Sequence, residues 1–423
     1  MDVLTLCLVL LGAIAIGLPI AYALLLSSIV FIFAFDHGLS MGLLAHTLTT
    51  ANDSFPILAV PFFILAGLIM GRGGISQRLF AVATAWVGHI KGGIGVAAVL
   101  TAMFFSAISG SGPATVAAVG GIMIPEMVKY GYSKTFAAAL IAAAGTMGVV
   151  LPPSIPLVIF GVITGTSIGD LFLAAIIPGL IMGALLIIWV VTHARRHGIE
   201  GTPKHSLRER FGSLNQAKGA LALPVIILGG IYGGIFTPTE AAVVAVVFGT
   251  ALSTLLYREL TLRTLFHTIV NAATTSSALM VIVASAAVFA LLLTIADAPT
   301  YAIDALTSVS TNPVIIMLII TLFMLLLGAF METIAAVTIT APILVPVMAE
   351  IGMDPIQIGV VLIMLLALGF ISPPLGANLF VAAKTAGTTS EKTFVAVLPG
   401  FALLTGACLL VAFIPALTMT FIS

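Results

Sequence analysis

Long apolar runs follow one another along the whole chain, separated by short polar stretches or by Gly and Pro. Many have about 20 residues, the length that an α-helix needs to cross a bilayer, and they lack the ten-residue alternation of a membrane β-strand. Because lipid offers the backbone no hydrogen-bond partner, each spanning segment must pair its own N–H and C=O groups. The pattern therefore predicts an all-α polytopic membrane protein.

The first apolar run, Val3 to Phe35, is too long for one straight span. At 1.5 Å per residue it would reach about 50 Å, against a hydrocarbon core of about 30 Å. Gly17-Leu18-Pro19 lies near its middle and predicts a break between two helices. The run is also longer than the apolar part of a secretory signal peptide, so we expect it to remain in the membrane.

The composition supports the membrane assignment. Of 423 residues, 61% are apolar and 7% are charged, whereas about 25% of the residues of a soluble domain are charged. The mean hydropathy is +1.28. The formal net charge is zero, so charge gives no argument for binding nucleic acid. Cys7 and Cys408 stand alone at opposite ends, which does not support a thiolate metal site or a redox pair.

The basic residues form two clusters that predict the orientation in the membrane. The first occupies the only long polar stretch and contains Arg195, Arg196, Lys204, Arg208, Arg210 and Lys218. The second, Arg258 and Arg263, follows the next pair of apolar segments. The positive-inside rule places both clusters on the cytoplasmic side. The helical pair between them then turns on the opposite side near Pro238, where Thr237 to Glu240 has the sequence of a capping box.

A repeat appears when the sequence is shifted by 221 positions. The matched residues are Pro125 with Pro346, Gly131 with Gly352, Gly148 with Gly369, Pro152-Pro153 with Pro373-Pro374, and Pro178-Gly179 with Pro399-Gly400. Gly and Pro break or end helices, so the two halves share their breaks while the residues between them have diverged. We therefore predict two structural repeats of inverted orientation.

Each half has the same order of segments. An apolar span leads to a short stretch of polar or small residues, an apolar arm of about 16 residues follows, and a further span stops at the Pro-Pro pair. Sixteen helical residues cover about 24 Å, so the arms are predicted to form re-entrant helical hairpins.

The predicted parts are 1–92 (scaffold spans and an interfacial arm), 93–193 (transport-domain repeat 1, with a hairpin and a broken helix), 194–312 (cytoplasmic basic loop, scaffold helical pair and second arm) and 313–423 (transport-domain repeat 2, with a hairpin and a broken helix).

The two Pro-Pro pairs are predicted to interrupt helices inside the membrane. Pro has no N–H and turns the preceding residue out of the helical conformation, so carbonyl groups one turn earlier are expected to be unpaired. An unpaired carbonyl in lipid costs several kcal/mol unless a cation or another donor replaces the lost N–H. The repeated break thus predicts two equivalent cation sites, and its alternative is a Pro kink relieved by water or a neighbouring Ser.

The hairpin tips carry the remaining polar groups. The first tip, Ser106 to Thr115, offers hydroxyl and carbonyl oxygens that suit a small hard cation, although small residues also serve close helix packing. The second tip, Gly328 to Pro346, contains Glu332, the only charged residue between Asp304 and Glu350. Glu332 is predicted to act as a helix N-cap, a cation ligand or a proton carrier.

Four segments together resemble the DctM-like large membrane subunit of tripartite ATP-independent periplasmic (TRAP) transporters, in the ion-transporter superfamily. They are SAISGSGPAT from Ser106, GVVLPPSIP from Gly148, GGIFTPTEAA from Gly233 and GFISPPLGAN from Gly369. The resemblance covers essentially the whole chain. It implies an elevator-type transporter of the bacterial inner membrane, without enzymatic activity, that carries out Na⁺-driven symport of a small organic acid such as a C4-dicarboxylate or sialic acid. The implied partners are a small four-helix membrane subunit and a periplasmic substrate-binding protein.

The resemblance also implies which residues form the sites. The first Na⁺ would be held mainly by backbone oxygens of Ser106, Ser109, Gly148, Leu151 and Pro153. The second Na⁺ would involve Gly328, Gly369, Ser372 and Leu375. Substrate contacts are expected, from their place at the tips, for Ser111, Gly112, Thr115, Glu332, Thr333 and Asn378. The tip motifs contain no Arg or Lys, so a substrate carboxylate would be held by helix N-termini and Na⁺.

Three other functions compete with this interpretation. A proton-coupled organic-anion antiporter would use Glu332 as its proton carrier. An intramembrane enzyme would need a metal motif such as HExxH or a Ser-His pair in a suitable context, and the sequence has neither. A purely structural membrane subunit would tolerate substitutions at Ser106, Gly148, Gly369 and Ser372. The sequence does not specify which organic acid is carried.

Overall fold

The computed structural model describes residues 2–35 and 39–422, and within them every regular element is helical. The helices are α1 Asp2–Ala15, α2 Ile20–Ala34, α3 Met41–Thr50, α4 Ala59–Arg72, α5 Ile75–Val87, α6 Gly93–Ser109, α7 Gly112–Lys129, α8 Lys134–Gly145, α9 Ile155–Thr164, α10 Ile168–Arg196, α11 Leu207–Tyr232, α12 Pro238–Ala251, α13 Leu262–Ile295, α14 Ala298–Val309, α15 Pro313–Phe330, α16 Thr333–Glu350, α17 Pro355–Gly369, α18 Ala377–Ala386, α19 Ser390–Phe413 and α20 Ala416–Met419. Eight helices in the described part of the chain are long and apolar enough to cross a membrane. The prediction of an all-α polytopic protein is confirmed.

The first apolar run divides where the sequence predicts. Helix α1 ends at Ala15, Gly17 takes a positive φ of +86°, and α2 begins at Ile20 directly after Pro19. Only glycine adopts that φ without steric cost, and Pro suits the position before a new helix. The two helices pack against each other as a pair.

Helices α11 and α12 each begin with a capping box. The Thr237 hydroxyl accepts from the Glu240 N–H at 3.3 Å, and the Glu240 carboxylate accepts from the Thr237 N–H at 2.8 Å. Ser206 and Glu209 form the same arrangement at the start of α11. The predicted capping box at Thr237 is thus confirmed. The Thr239 hydroxyl donates to the Phe55 carbonyl at 3.1 Å, which places the start of α12 beside the start of α4.

The C-terminal ends of α4 and α12 lie together on the other side of the molecule. We call that side the basic face, because the basic segments 195–218 and 258–263 lie there. Arg78 of α5 forms a 2.7 Å ion pair with Glu259, and its guanidinium lies 3.7 Å from the centroid of the Tyr257 ring. These contacts fix α5 to the basic face. Helix α5 therefore connects α4 to α6 along the basic face.

Two groups of five helices, α6–α10 and α15–α19, follow each other in the same order. In each, two helices join at a two-residue tip, at 110–111 and 331–332, and a third helix stops at an irregular segment, at 150–154 and 370–376. Both irregular segments contain a cis Pro-Pro bond. The two groups also pack together, since α18 and α19 contact α8, and α16 contacts α9. The helices α8 and α17, buried along most of their lengths, form the centre of the molecule.

Candidate ion and solute site

The first tip is held closed by its own hydroxyl groups. Helix α6 ends at Ser109, Gly110 turns the chain with a φ of +60°, and α7 begins at Gly112. The Ser109 and Thr115 hydroxyl oxygens are 2.8 Å apart, and the Thr115 hydroxyl donates to the Ser111 carbonyl at 2.9 Å. The tip is therefore a compact cluster of oxygen atoms.

The first helix break packs directly onto this tip. A methyl group added to Gly148 would lie 2.6 Å from the Ser111 carbonyl oxygen and 2.8 Å from the Thr115 hydroxyl. One added to Gly110 would lie 2.9 Å from the carbonyl oxygen of Pro153. Real Cβ atoms do not approach so closely, so both positions require glycine. The structure thus brings the predicted ion ligands of α6 and of the break together.

Some carbonyl groups freed by the Pro pairs find new donors within the protein. The Val149 carbonyl, whose helical donor would have been the N–H of residue 153, accepts from the Ser154 hydroxyl at 2.5 Å. At the corresponding place in the second break, the Phe370 carbonyl accepts from the Asn378 N–H at 3.0 Å. The prediction that carbonyls one turn before the Pro pair are unpaired is wrong for these two, because the chain folds back far enough to supply a donor.

Two oxygen atoms at the first break keep no protein partner. Among the described residues, no hydrogen bond is directed to the Gly148 carbonyl, since the Leu151 N–H donates to Met147 instead. The Ser106 hydroxyl is buried and also has no partner. Buried polar atoms are rarely left without a partner in native proteins, and a bound ion is one of the recognised explanations. Both residues belong to the predicted first Na⁺ site.

The second tip and the second break are in direct backbone contact. Gly328 and Gly369 pack so closely that a methyl group on Gly369 would collide with the Gly328 carbonyl oxygen. The Leu375 N–H donates to the Ala329 carbonyl at 3.2 Å, and the Ser372 N–H donates to the Gly369 carbonyl at 3.1 Å. The four predicted residues of the second Na⁺ site are thus adjacent, although the Gly369 carbonyl already accepts one bond.

The surroundings of the two breaks differ. Pro152 and Pro153 are buried, whereas Pro373 and Pro374 are exposed in this chain. Leu375 is 51% exposed. The two breaks therefore share a backbone arrangement but not an equal degree of enclosure.

Glu332 caps helix α16. Its carboxylate accepts hydrogen bonds from the Ile334 N–H at 2.8 Å and from the Ala335 N–H at 3.3 Å. Of the three roles open to Glu332 on sequence grounds, the structure realises the N-cap, which places a carboxylate on the positive end of the helix dipole. The same side chain lines a cavity that lies between the two tips, α4 and α13.

Asn378, at the start of α18, connects the two repeats. Its side-chain amide donates to the Ala142 carbonyl of α8 at 3.1 Å, while its side-chain oxygen is buried without a partner. A methyl group on Gly112 would lie 3.2 Å from that oxygen. The unpartnered oxygen therefore lies beside the first tip. The contact with Ala142 joins residues 236 positions apart, and nothing in the sequence indicates it.

A cavity of about 300 Å³ lies between the tips, α4 and α13. Of the predicted residues it exposes Ser109, Ser111 and Glu332. Gly112, Thr115, Thr333 and Asn378, predicted to contact substrate, lie behind this lining and do not line the cavity themselves. Its other lining residues were not predicted and include Gly67, Leu68, Thr275, Leu279, Phe370 and Ala377. In the described residues, no group of three or more His, Cys, Asp or Glu side chains could hold a metal ion. The polar atoms at the tips are hydroxyl, carbonyl and carboxylate oxygens, the donor type that suits hard cations.

Comparison with solved structures defines the class of the protein. The chain is similar in fold to MtrF of Neisseria gonorrhoeae, with a TM-score of 0.62 and 14% identity over 88% of this chain and 83% of that one. It is also similar to the YdaH transporter of Alcanivorax borkumensis, with a TM-score of 0.58 and 15% identity over 88% of each chain. The protein is thus an all-helical, polytopic membrane protein that shares its fold with these two.

Sequence comparison then defines the family. Residues 7–417 match the family model described as the tripartite ATP-independent periplasmic transporter, DctM component. The chain therefore belongs to the DctM family: it is the large permease of a TRAP transporter, a multi-pass protein of the bacterial inner membrane and not an enzyme. The resemblance found in the sequence is confirmed.

Three curated relatives match most of this chain. The isethionate TRAP transporter permease protein DctMQ of Oleidesulfovibrio alaskensis is 42% identical over 96% of this chain, which spans 64% of that protein. The C4-dicarboxylate TRAP transporter large permease protein DctM of Pseudomonas aeruginosa is 40% identical over 89% of this chain and 88% of its own length. The 2,3-diketo-L-gulonate TRAP transporter large permease protein YiaN of Escherichia coli is 41% identical over 96% and 95%.

Proposed function

We propose that the chain couples the entry of Na⁺ to the uptake of a small organic acid across the inner membrane. The relatives are named for isethionate, C4-dicarboxylates and 2,3-diketo-L-gulonate, which are all small organic anions. A C4-dicarboxylate, sialic acid or a similar carboxylate is the proposed substrate class. The energy source is the Na⁺ gradient, because the helix breaks suit a cation.

The unpartnered oxygen atoms at the first break carry this proposal. The Gly148 carbonyl lies at a buried helix end that packs against the hydroxyl-rich tip, and the Ser106 hydroxyl is buried in the last turn of α6, which leads into that tip. The negative end of the α8 dipole and several carbonyl oxygens favour a small hard cation there. Ser109, Leu151 and Pro153 complete the proposed first site. Gly328, Gly369, Ser372 and Leu375 form the proposed second site.

The substrate anion is proposed to bind in the cavity beside the first ion. Helix α7 begins at Gly112, and its free N–H groups face the tip region. The positive end of this helix and the adjacent Na⁺ would hold a carboxylate or sulfonate without an Arg in the tip. Ser111 from the first half and Glu332 from the second line this cavity and are the proposed direct contacts. Gly112, Thr115, Thr333 and Asn378 lie behind the lining and are proposed to position it.

The topology supports an elevator mechanism with inverted repeats. The arm α5 is fixed to the basic face by the Arg78–Glu259 ion pair, so α6 starts from that face. Helix α13 starts beside Arg263 and has 34 residues, about 50 Å of helix, so the second arm α14 and the start of α15 lie near the opposite face. The two helix groups then enter the membrane from opposite sides. We propose that they move together against the scaffold made of α4, α11, α12 and α13.

The partners are proposed from the family. Its description names a tripartite, periplasmic system, which agrees with a periplasmic substrate-binding protein and a small four-helix membrane subunit. The isethionate relative DctMQ, of which this chain spans 64%, has further sequence beyond the matched region. That additional length supports a second membrane component for the present chain.

Solute uptake by the reconstituted system tests the proposal. Proteoliposomes would contain the chain with its small subunit and binding protein, and uptake of labelled succinate, isethionate, 2,3-diketo-L-gulonate and sialic acid would be measured. We expect uptake of at least one solute to follow an inward Na⁺ gradient and to stop when K⁺ replaces Na⁺. Uptake that follows a pH gradient and ignores Na⁺ would instead establish the proton-coupled antiporter.

A further inference from the structure

A groove leads from the cavity to the basic face. A second open space of about 280 Å³ shares Gly67, Leu68 and Ala114 with the main cavity and ends at Arg72. The two spaces are therefore adjacent and share one wall. Gly67 packs against the first tip, since a methyl group on it would lie 3.2 Å from the Ser109 backbone. The groove thus starts at the tip and runs between α4 and α7.

Two helix faces line the groove, mostly with small residues, and α13 contacts its two ends. On α4, Gly67 and Gly71 are four residues apart, and on α7, Ala114 and Ala118 are four apart, so each pair lies on one face. On α13, Thr275 lines the cavity and Thr268, seven residues earlier, lies next to Arg72. Seven residues bring a helix back to the same face about 10 Å further along. Thr275 thus lies at the cavity end, and the buried Thr268 lies behind Arg72 at the other end.

Arg72, the last residue of α4, is exposed and lies part of the way along the hairpin. It lines the groove beside Ala117 and Ala118, about 9 Å along α7 from the tip. Helix α7 continues to Lys129, about 16 Å beyond Ala118 on the same estimate. Arg72 is the only charged residue of α4, in the span Phe55–Arg72. It therefore places a cation close to the site rather than at the outer limit of the basic face.

Among the described residues, 2–35 and 39–422, the guanidinium of Arg72 has no acidic partner. One nitrogen donates to the Thr268 hydroxyl at 3.0 Å. Guanidinium has five N–H donors in a planar fork that matches a carboxylate or sulfonate. Ionisable residues within membrane segments that face a cavity characteristically mark a solute pathway.

We propose that this groove is the route by which the anion leaves the cavity toward the basic face, and that Arg72 is the cationic residue that attracts it there. The identity of the anion rests on the proposed function. Arg72 lies outside the tip motifs, so it acts on the anion after its release from the tips. Its single bond to Thr268 holds the side chain in the groove and leaves the remaining donors free for the passing anion.

Charge-selective labelling tests the role of Arg72 without requiring transport. Ala117 is exposed and lines the groove, so Ala117→Cys is introduced in a chain in which Cys7 and Cys408 are replaced by Ala. The measured quantity is the ratio of labelling rates for an anionic and a cationic methanethiosulfonate reagent, the sulfonatoethyl and trimethylammonioethyl forms. We expect Arg72→Gln to lower this ratio about three- to tenfold at low salt, and Arg72→Lys to retain most of it.

Two further measurements keep the proposal falsifiable. Lys129→Gln is the matched control, because Lys129 lies on the same helix as Ala117 but is paired with Glu126 at 3.7 Å, and it should leave the ratio unchanged. With Arg72 intact, raising the salt concentration should bring the ratio toward one, as expected for screening of one nearby charge. A ratio that Arg72→Gln does not change, or that is independent of salt, overturns the proposal. Neither result depends on which ion drives uptake.

Discussion

Individual oxygen atoms define the proposed ion and solute sites. The Ser106 hydroxyl and the Asn378 side-chain oxygen are buried without partners, whereas most neighbouring hydroxyl groups donate to a carbonyl of the preceding helical turn. Thr101 on the same helix, for example, donates to the Ala97 carbonyl at 2.7 Å. Ser106 and Asn378 thus differ from their paired neighbours in keeping an oxygen atom available to a ligand.

Removing the Ser106 hydroxyl should weaken Na⁺ binding and leave the fold intact. In Ser106→Ala we expect the Na⁺ concentration for half-maximal uptake to rise about tenfold, the effect of losing an interaction of about 1.4 kcal/mol, without a fall in melting temperature. Thr101→Val is the matched control, because its hydroxyl is already paired, and should keep the Na⁺ dependence of the unmodified protein. An unchanged Na⁺ dependence in Ser106→Ala shows that the Ser106 hydroxyl does not bind the ion.

Glu332 should act as a cap and not as a proton carrier. Glu332→Gln keeps an oxygen that accepts from Ile334 and Ala335, so it should retain most Na⁺-driven uptake, whereas Glu332→Ala loses the cap at a cost of about 1 kcal/mol and should transport poorly. Uptake and thermal stability of both variants provide the test. If Glu332→Gln abolishes uptake while the protein remains folded, the carboxylate does more than cap the helix.

At the scale of helices, the contact between the second tip and the second break has no room for a side chain. Gly369→Ala would force Gly328 and Gly369 apart, and overpacking of this kind costs about 1–3 kcal/mol. We expect a lower melting temperature and a loss of uptake. Gly406→Ala in α19, where nothing lies within 4 Å of the added methyl group, should do neither. Equal behaviour of the two variants would contradict the close contact.

Local sequence signals predict the helix boundaries of this protein well. These signals are Gly17, Pro19, the Thr237–Glu240 capping box and the two Pro-Pro pairs. Each changes the conformation of residues close to it in sequence, so its effect can be predicted from the sequence. The donors that satisfy Val149 and Phe370 are also close in sequence, but they require a fold-back that a rule about Pro alone does not contain. Prediction by residue type therefore places the breaks correctly and overestimates how many carbonyls they leave free.

Contacts between segments that are distant in sequence could not be predicted. The bond from Asn378 to Ala142, the approach of Gly67 to Ser109 and the cavity lining by Thr275 join distant segments through tertiary packing. For the same reason the sequence placed Thr115 and Thr333 at the substrate, whereas both are buried behind the cavity wall. The repeat found at a shift of 221 positions predicted that the two breaks match. It carried no information about the different exposure of the two Pro-Pro pairs.

At the scale of the whole molecule, the elevator mechanism requires α7 to slide past α4. The Cβ of a residue at position 71 would lie 3.6 Å from the Cβ of Ala118, a separation that suits a disulfide. We expect oxidation of the pair Gly71→Cys and Ala118→Cys to stop uptake, and a reductant to restore it. The control pair Met70→Cys and Gly249→Cys lies within the scaffold, and its oxidation should leave uptake intact. Full uptake by the oxidised first pair would show that these helices do not need to move apart.

The binding of sodium to the purified chain tests the central claim most directly. With ²²Na⁺ in a scintillation proximity assay, we predict saturable binding that unlabelled Na⁺ displaces and K⁺ does not, and that Ser106→Ala weakens. Binding that never saturates, or that K⁺ displaces as well as Na⁺, would contradict the account of the helix breaks as sodium sites.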